Sequence, residues 1–215
     1  MNFITRNMLY ISFALLSVGL AKAEEHSSIE DRVVGLQAIE GFYDLFWDAG
    51  EGSLLLEIDR LDENFLYQTS MPRGVGSNDL GLDRGQLGST QVTRFFRSGN
   101  KVLLVADNLG YRADKDNPME HSAVEHSFGE SVLWGFEVEA ESEGSVLVDA
   151  TEFFLRDSHR LSMRLARSKQ GNYSADKSRS AIYLPRTRGF PDNTEIESVV
   201  TFTGNPNLDG PGEHI

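Results

Sequence analysis

A chain of 215 residues with 40% hydrophobic and 25% charged side chains can build one generous folded domain and is too apolar to stay disordered. Lys and Arg number 20 against 33 Asp and Glu, a formal charge of −13, which argues against nucleic acid and against adhesion to anionic lipid, since both need clustered cations. There is no cysteine, so disulfides and a lipid-modified Cys are excluded, and stability must come from a packed core or a metal.

The chain opens with the three parts of a secretory signal peptide. Arg6 supplies positive charge, residues 8–20 an apolar stretch, and Ala21-Lys22-Ala23 a small-x-small cleavage site. The apolar stretch is shorter than the ~20 residues of a membrane span. The expectation is a signal peptide over 1–23 with cleavage after Ala23, a periplasmic or secreted protein, and no stable membrane anchor afterwards. Residues 24–40 read as a lead-in, polar and mobile to Asp31, then apolar at Val33, Val34, Leu36 and Ile39.

Three apolar runs follow at 42–47, 54–58 and 65–69, separated by short turn-like pieces. Leu54, Leu56 and Ile58 share one face and Phe65, Tyr67 and Thr69 another, the period of two that a strand on a core requires. Short connections favour antiparallel neighbours, so the three runs are expected to form a meander. Beyond it, residues 71–85 form a loop too rich in glycine and charge to be core. Its polar residues Arg73, Asn78, Asp79, Asp83 and Arg84 are the candidate site. Asp–Arg pairs and Asx-turns could lock the loop, the same residues could dock a protein, or the carboxylates could take calcium.

Residues 91–97 and 101–107 flank Ser98-Gly99-Asn100, a hairpin signal because Gly and Asn accept positive φ. Asn117-Pro118 caps and opens a helix to about Gly129. A second hairpin joins 133–140 to 145–149. Phe153, Phe154, Asp157, Leu161 and Leu165 give helical spacing from Thr151 to Arg167, and strands follow at 180–184 and 195–203. The tail 204–215 has no core-forming pattern and reads as a linker or truncated end. The fold class is α+β: a mainly antiparallel β meander or sheet with two inserted helices.

No complete catalytic motif emerges. His121, Glu125 and His126 miss the spacing of a zincin helix, because two His five residues apart lie about 140° out of line on a helix turning ~100° per residue. Asp157-Ser158-His159 is adjacent in sequence, which is not the geometry of a triad, and no G-x-S-x-G elbow occurs. Gly74-Val75-Gly76 lacks the residues that complete a nucleotide loop. Asn205-x-Asn207-x-Asp209-Gly210 reads better as a flexible linker than as the start of a calcium loop. The basic stretches 156–169 and 177–188 read as a solvated helix face and a loop.

Several motifs together carry a resemblance. Residues 74–86 (Gly-Val-Gly-Ser-Asn-Asp-Leu-Gly-Leu-Asp-Arg-Gly-Gln), 131–136 (Ser-Val-Leu-Trp-Gly-Phe), 148–151 and 180–187 resemble, in order, a domain of unknown function found in bacterial secreted zinc-dependent metalloproteases. The resemblance spans roughly 41–203. It implies a β-rich domain that lies before a zincin-like catalytic domain with an H-E-x-x-H helix, a motif that residues 1–215 do not contain. The implied function is non-catalytic, positioning or guarding that catalytic domain. Zinc would belong to the catalytic domain and no cofactor to this chain. The implied partner is the downstream catalytic domain or a peptide or protein substrate. The alternative is a free-standing exported binding module that uses the 74–85 loop.

Overall fold

The computed structural model describes residues 26–75, 80–111, 113, 114 and 116–207, with His121 and Glu125 described in their backbone only. The signal-peptide reading for 1–23 therefore lies outside the described residues, as do Asn78, Asp79 and Asp209.

An eight-stranded antiparallel sheet forms the body. It comprises β1 (Gln37–Ile39), β2 (Leu45–Asp48), β3 (Ser53–Ile58), β4 (Phe65–Ser70), β5 (Leu87–Ser98), β6 (Lys101–Ala106), β7 (Ser131–Ser142) and β8 (Ser145–Asp149). Their spatial order is β1-β2-β3-β8-β7-β6-β5-β4. Both expected hairpins are present. β5 and β6 join through a turn in which Gly99 takes φ 62°, and β7 and β8 pair as far as Ser142 and Ser145. The fold is α+β and mainly antiparallel, as expected.

The three-strand meander is corrected. β2 and β3 pair, but β4 is at the far edge and pairs only with β5, because β8 takes the free side of β3. The connecting segment runs across the sheet instead of turning back: Asp62, at φ 62°, donates its N–H to the Phe95 carbonyl (2.8 Å), and Leu61 bridges Phe95. The sheet curls enough to bring its ends together. Tyr43, just before β2, packs on Phe65 of β4 and Phe95 of β5, with ring centroids 5.2 and 5.4 Å away. Residues before Gly85 thus supply both flanks of the sheet.

The concave face carries the main core, with Leu45, Leu54, Leu56, Ile58, Phe95, Val102, Leu104, Phe136, Val146 and Val148 all buried. It is closed by Phe153 of helix α3 (Thr151–Phe154), by Leu155, and by Ile182 of β9 (Gly171–Ile182). β9 forms a long ribbon with β12 (Ser198–Pro206). Between them, β10 (Arg188–Phe190) and β11 (Asn193–Glu195) make a small hairpin against the start of the sheet. A Cβ on Gly189 would fall 1.9 Å from the Glu40 carbonyl oxygen, so only glycine permits that approach. Thr194 clasps the same place: its hydroxyl accepts from the Tyr43 N–H (3.0 Å) and donates to the Tyr43 carbonyl (2.9 Å).

Three further expectations change. The polar lead-in is ordered from residue 26: helix α1 (Ile29–Arg32) buries Ile29, and Arg32 pairs with Glu139 at 2.9 Å. The single helix over 151–167 is two helices, α3 and α4 (Leu161–Arg167), because both Asp157 carboxylate oxygens accept from the Leu161 and Ser162 N–H groups and start a new helix after Arg160 at φ 57°. Strand β9 extends well beyond 180–184, and β12 runs to Pro206, so the start of the tail is paired sheet rather than linker. The helix at Pro118 is as expected: α2 (Pro118–Ser127) is capped by Asn117, whose side chain accepts from the Glu120 N–H. Among the described residues no helix is long and apolar enough to cross a membrane.

Candidate functional site

The described residues of the loop after β4, 71–75 and 80–86, fold back on one another. The Met71 N–H donates to the Gln86 carbonyl (2.9 Å) and the Gly85 N–H to the Met71 carbonyl (2.8 Å), continuing the β4–β5 pairing into the loop's neck. Val75 donates to Leu82 across it. Two leucines that looked like loop residues are core: Leu80 and Leu82 are 4% and 2% exposed. Burying two such side chains contributes several kcal/mol by area, about 1.5–3 kcal/mol each. Arg164 of α4 then fastens the loop to the helix, with its Nη1 donating to the Leu80 carbonyl (2.9 Å) and its Nε to the His159 carbonyl (3.3 Å). His159 Nε2 reaches the Ser70 carbonyl at 3.3 Å.

Of the candidate residues, Arg73, Asp83 and Arg84 are described, and no ion pair joins them. Arg73 stands 5.7 Å from the Tyr183 ring centroid, in reach of a cation–π contact. Asp83 and Arg84 are exposed, and among the described residues neither makes an ion pair; Asp83 uses its backbone N–H on the Gln86 side chain (3.2 Å). An Asp83–Arg84 pair is therefore not what holds the loop. The leucines, the neck pairing and Arg164 hold it.

The other constellations resolve into structural roles. Asp157 caps α4 with both oxygens while His159 faces Ser70, so Asp157, Ser158 and His159 form no triad. His126 Nδ1 turns back on the Ser122 carbonyl at 2.7 Å. Asn205 sits within β12, opposite Asn172. Among the described residues no three His, Asp or Glu side chains gather where they could hold a metal, so no zinc chemistry is assigned to them.

Two surfaces remain. The first is a groove of about 490 Å³ between the loop and α4, lined by Leu80, Arg160, Met163, Arg164, Arg167 and Ser168. Arginines at 160, 164 and 167 recur at helical spacing, which was the signal available in the sequence.

The second is the convex face of the sheet. At the β1–β3 and β8 end, Ile29 of α1 seals Leu55, Ala140 and Leu147, with Val33, Leu36 and Phe46 packed around them. At the β4–β7 end the same face is more open: Leu66, Val132 and Phe96 are 72%, 59% and 42% exposed, while Val105 among them is buried. Register puts Leu66 beside Val92, Phe96 beside Leu103, and Arg94 beside Val105 and then Val132. Arg94 sits within this apolar field and donates to Asp107 (3.0 Å) and, through both terminal nitrogens, to Glu130 (2.7 and 2.8 Å). The Glu130 carboxyl is held below the usual glutamate value by those bonds from Arg94.

A family model described as a domain of unknown function (DUF5117) matches residues 85–214, more than half of the chain. Neither the curated proteins nor the solved structures provide a match.

Proposed function

The chain belongs to the DUF5117 family of domains of unknown function, and from this premise we propose that it is a non-catalytic accessory domain of an exported zinc-dependent metalloprotease, packing against the catalytic domain to position it or guard its cleft. The observation that carries this reading is the open half of the convex face. Leu66, Phe96 and Val132 are large apolar side chains on one face of the sheet, costly to leave in water, and such exposure marks a surface that another protein covers. A domain whose work was only to fold would gain by placing polar residues at 66, 96 and 132, as most exposed strand positions do. The occupant is taken to be the zincin-like domain because the motifs at 74–86, 131–136, 148–151 and 180–187 resemble the domain that precedes it in such proteases. Zinc and the H-E-x-x-H helix belong to that partner.

The test mixes the full exported chain with a separately purified zinc-dependent catalytic domain encoded alongside it. Co-elution, with a change in the rate of casein cleavage, is expected for the wild type. The double variant Leu66→Glu with Val132→Glu should weaken the complex at least about tenfold, as burying a charge in an apolar interface does, while its circular dichroism stays unchanged. A wild-type chain that neither co-elutes nor alters cleavage would refute the proposal.

A further inference from the structure

We infer that the groove between α4 and the turn at Leu80 binds an acidic, extended peptide segment carrying a large apolar side chain. This surface lies apart from the open convex face, and the inference does not depend on the accessory-domain reading. Its first support is charge. In a chain of net charge −13, residues 156–167 hold four arginines and one acid, Asp157, whose two oxygens are both engaged by backbone N–H groups. Among the described residues Arg160, Arg164 and Arg167 make no ion pair, so their charge is offered to the groove they line. An acidic protein that gathers unpaired guanidinium groups on one wall creates a local field opposite to its own, which selects an anionic partner.

The second support is preparation. Arg164 is tied through Nη1 to the Leu80 carbonyl and through Nε to the His159 carbonyl, leaving its Nη2 edge for a ligand. A guanidinium already held in place loses less side-chain entropy on binding a carboxylate than a free one. Arg160 and Arg167 flank it on the exposed side of α4.

The third support is shape, and it separates a peptide from other polyanions. Helix geometry spaces Arg164 and Arg167 by about 4.5 Å along the axis, with Arg160 at the N-cap before them. An extended peptide repeats its same-side carboxylates every ~6.6–6.8 Å, so two of them can meet adjacent arginines with one Arg–carboxylate fork each. Met163, exposed on α4, adds an apolar strip to the lining, with the buried Leu80 at its base. That strip offers nothing to polyphosphate and suits one Leu-sized side chain; methionine adapts to several shapes.

The experiment uses the full chain and fluorescence anisotropy of a fluorescein-labelled peptide Glu-Ser-Glu-Ser-Leu, whose two carboxylates and leucine share one side when extended, at low salt. Saturable binding is expected, weakening as ionic strength rises because the arginines are open to solvent. Arg160→Glu with Arg167→Glu, both exposed and outside the loop clamp, should weaken it at least about tenfold with an unchanged melting temperature. Arg164→Lys should weaken binding less and also lower the melting temperature, since it loosens the loop. The peptide with Ser in place of Leu should bind more weakly, and the Lys-Ser-Lys-Ser-Leu peptide should not bind. Absence of saturable binding, or binding unchanged in the double variant, would overturn the inference. So would equal affinity for the Ser peptide, or preferential binding of inorganic polyphosphate, either of which would make the groove a general anion site.

Discussion

The two halves of the sheet's convex face have similar strand chemistry and opposite fates. Under α1, Leu55, Ala140 and Leu147 are at or near 0% exposed; between β4 and β7, Leu66 and Val132 keep more than half of their surface in water. The difference comes from outside the sheet. A short N-terminal segment, pinned by the Ile29 N–H to Ser142 Oγ (3.0 Å) and by Arg32 to Glu139, supplies a lid for one half. Among the described residues nothing equivalent covers the other. Apolar residues on a sheet therefore report that a cover exists, and the chain's own path decides which of them it covers itself.

That contrast can be broken at graded cost. The largest effect is expected under the lid: Leu147→Ala, at 0% exposure, should cost about 2–5 kcal/mol by lost transfer energy and a residual cavity, read from urea denaturation. Next comes the clasp that fixes the start of β2 at the covered end. Thr194→Ala removes both hydrogen bonds to Tyr43 and should cost about 1–3 kcal/mol in the same measurement.

A smaller effect belongs to the Arg94–Glu130 pair on the open half. The carboxyl of Glu130 is depressed in the folded state by hydrogen bonding from Arg94, so its contribution is present above the ordinary glutamate value and is lost as pH falls through the lower folded value. Because Glu130 is half exposed, the wild type should lose only a few tenths of a kcal/mol by this route on acidification, and Glu130→Gln should remove that slope from a stability-versus-pH curve. The smallest effect should come from the bare apolar positions. Leu66→Ser and Val132→Ser should leave stability within about 0.5–1 kcal/mol and lower binding of a hydrophobic dye. A loss of several kcal/mol there would show that the open half is covered after all, and the contrast would collapse.

Much of the architecture was legible from residue patterns because strands, hairpin turns and caps are local. The turn at Ser98-Gly99-Asn100, the Asn117-Pro118 helix start and the alternation in β3 and β4 all depend on neighbours a few residues away. Partnership between strands was not legible. Alternation shows that residues 65–69 lie on a core but carries no information on whether β3 or β5 lies beside them, and short connections favour sequence neighbours.

The site was less legible than the fold. Leu80 and Leu82 are surrounded by Gly, Asp and Arg, so nothing local marked them as buried, and Arg164, which holds the Leu80 carbonyl, comes some eighty residues later. Asp157 looked like part of a helix face or a triad, whereas the left-handed residue Arg160 and the two N–H groups after it turn the carboxylate into a cap. The arginine spacing in α4 was visible, but its meaning depended on the loop that forms the opposite wall.

The strand order also dictates how this protein can be dissected. β3 and β4, both lying before Gly85, flank the strands contributed by later residues, one on each side. Trimming the chain to begin at Gly85 would strip both margins together and leave β8 and β5 with unpaired backbone along their full lengths. Such raw margins pair with whatever strand they meet, so the shortened piece should precipitate or form fibrils rather than fold as a smaller version of the whole.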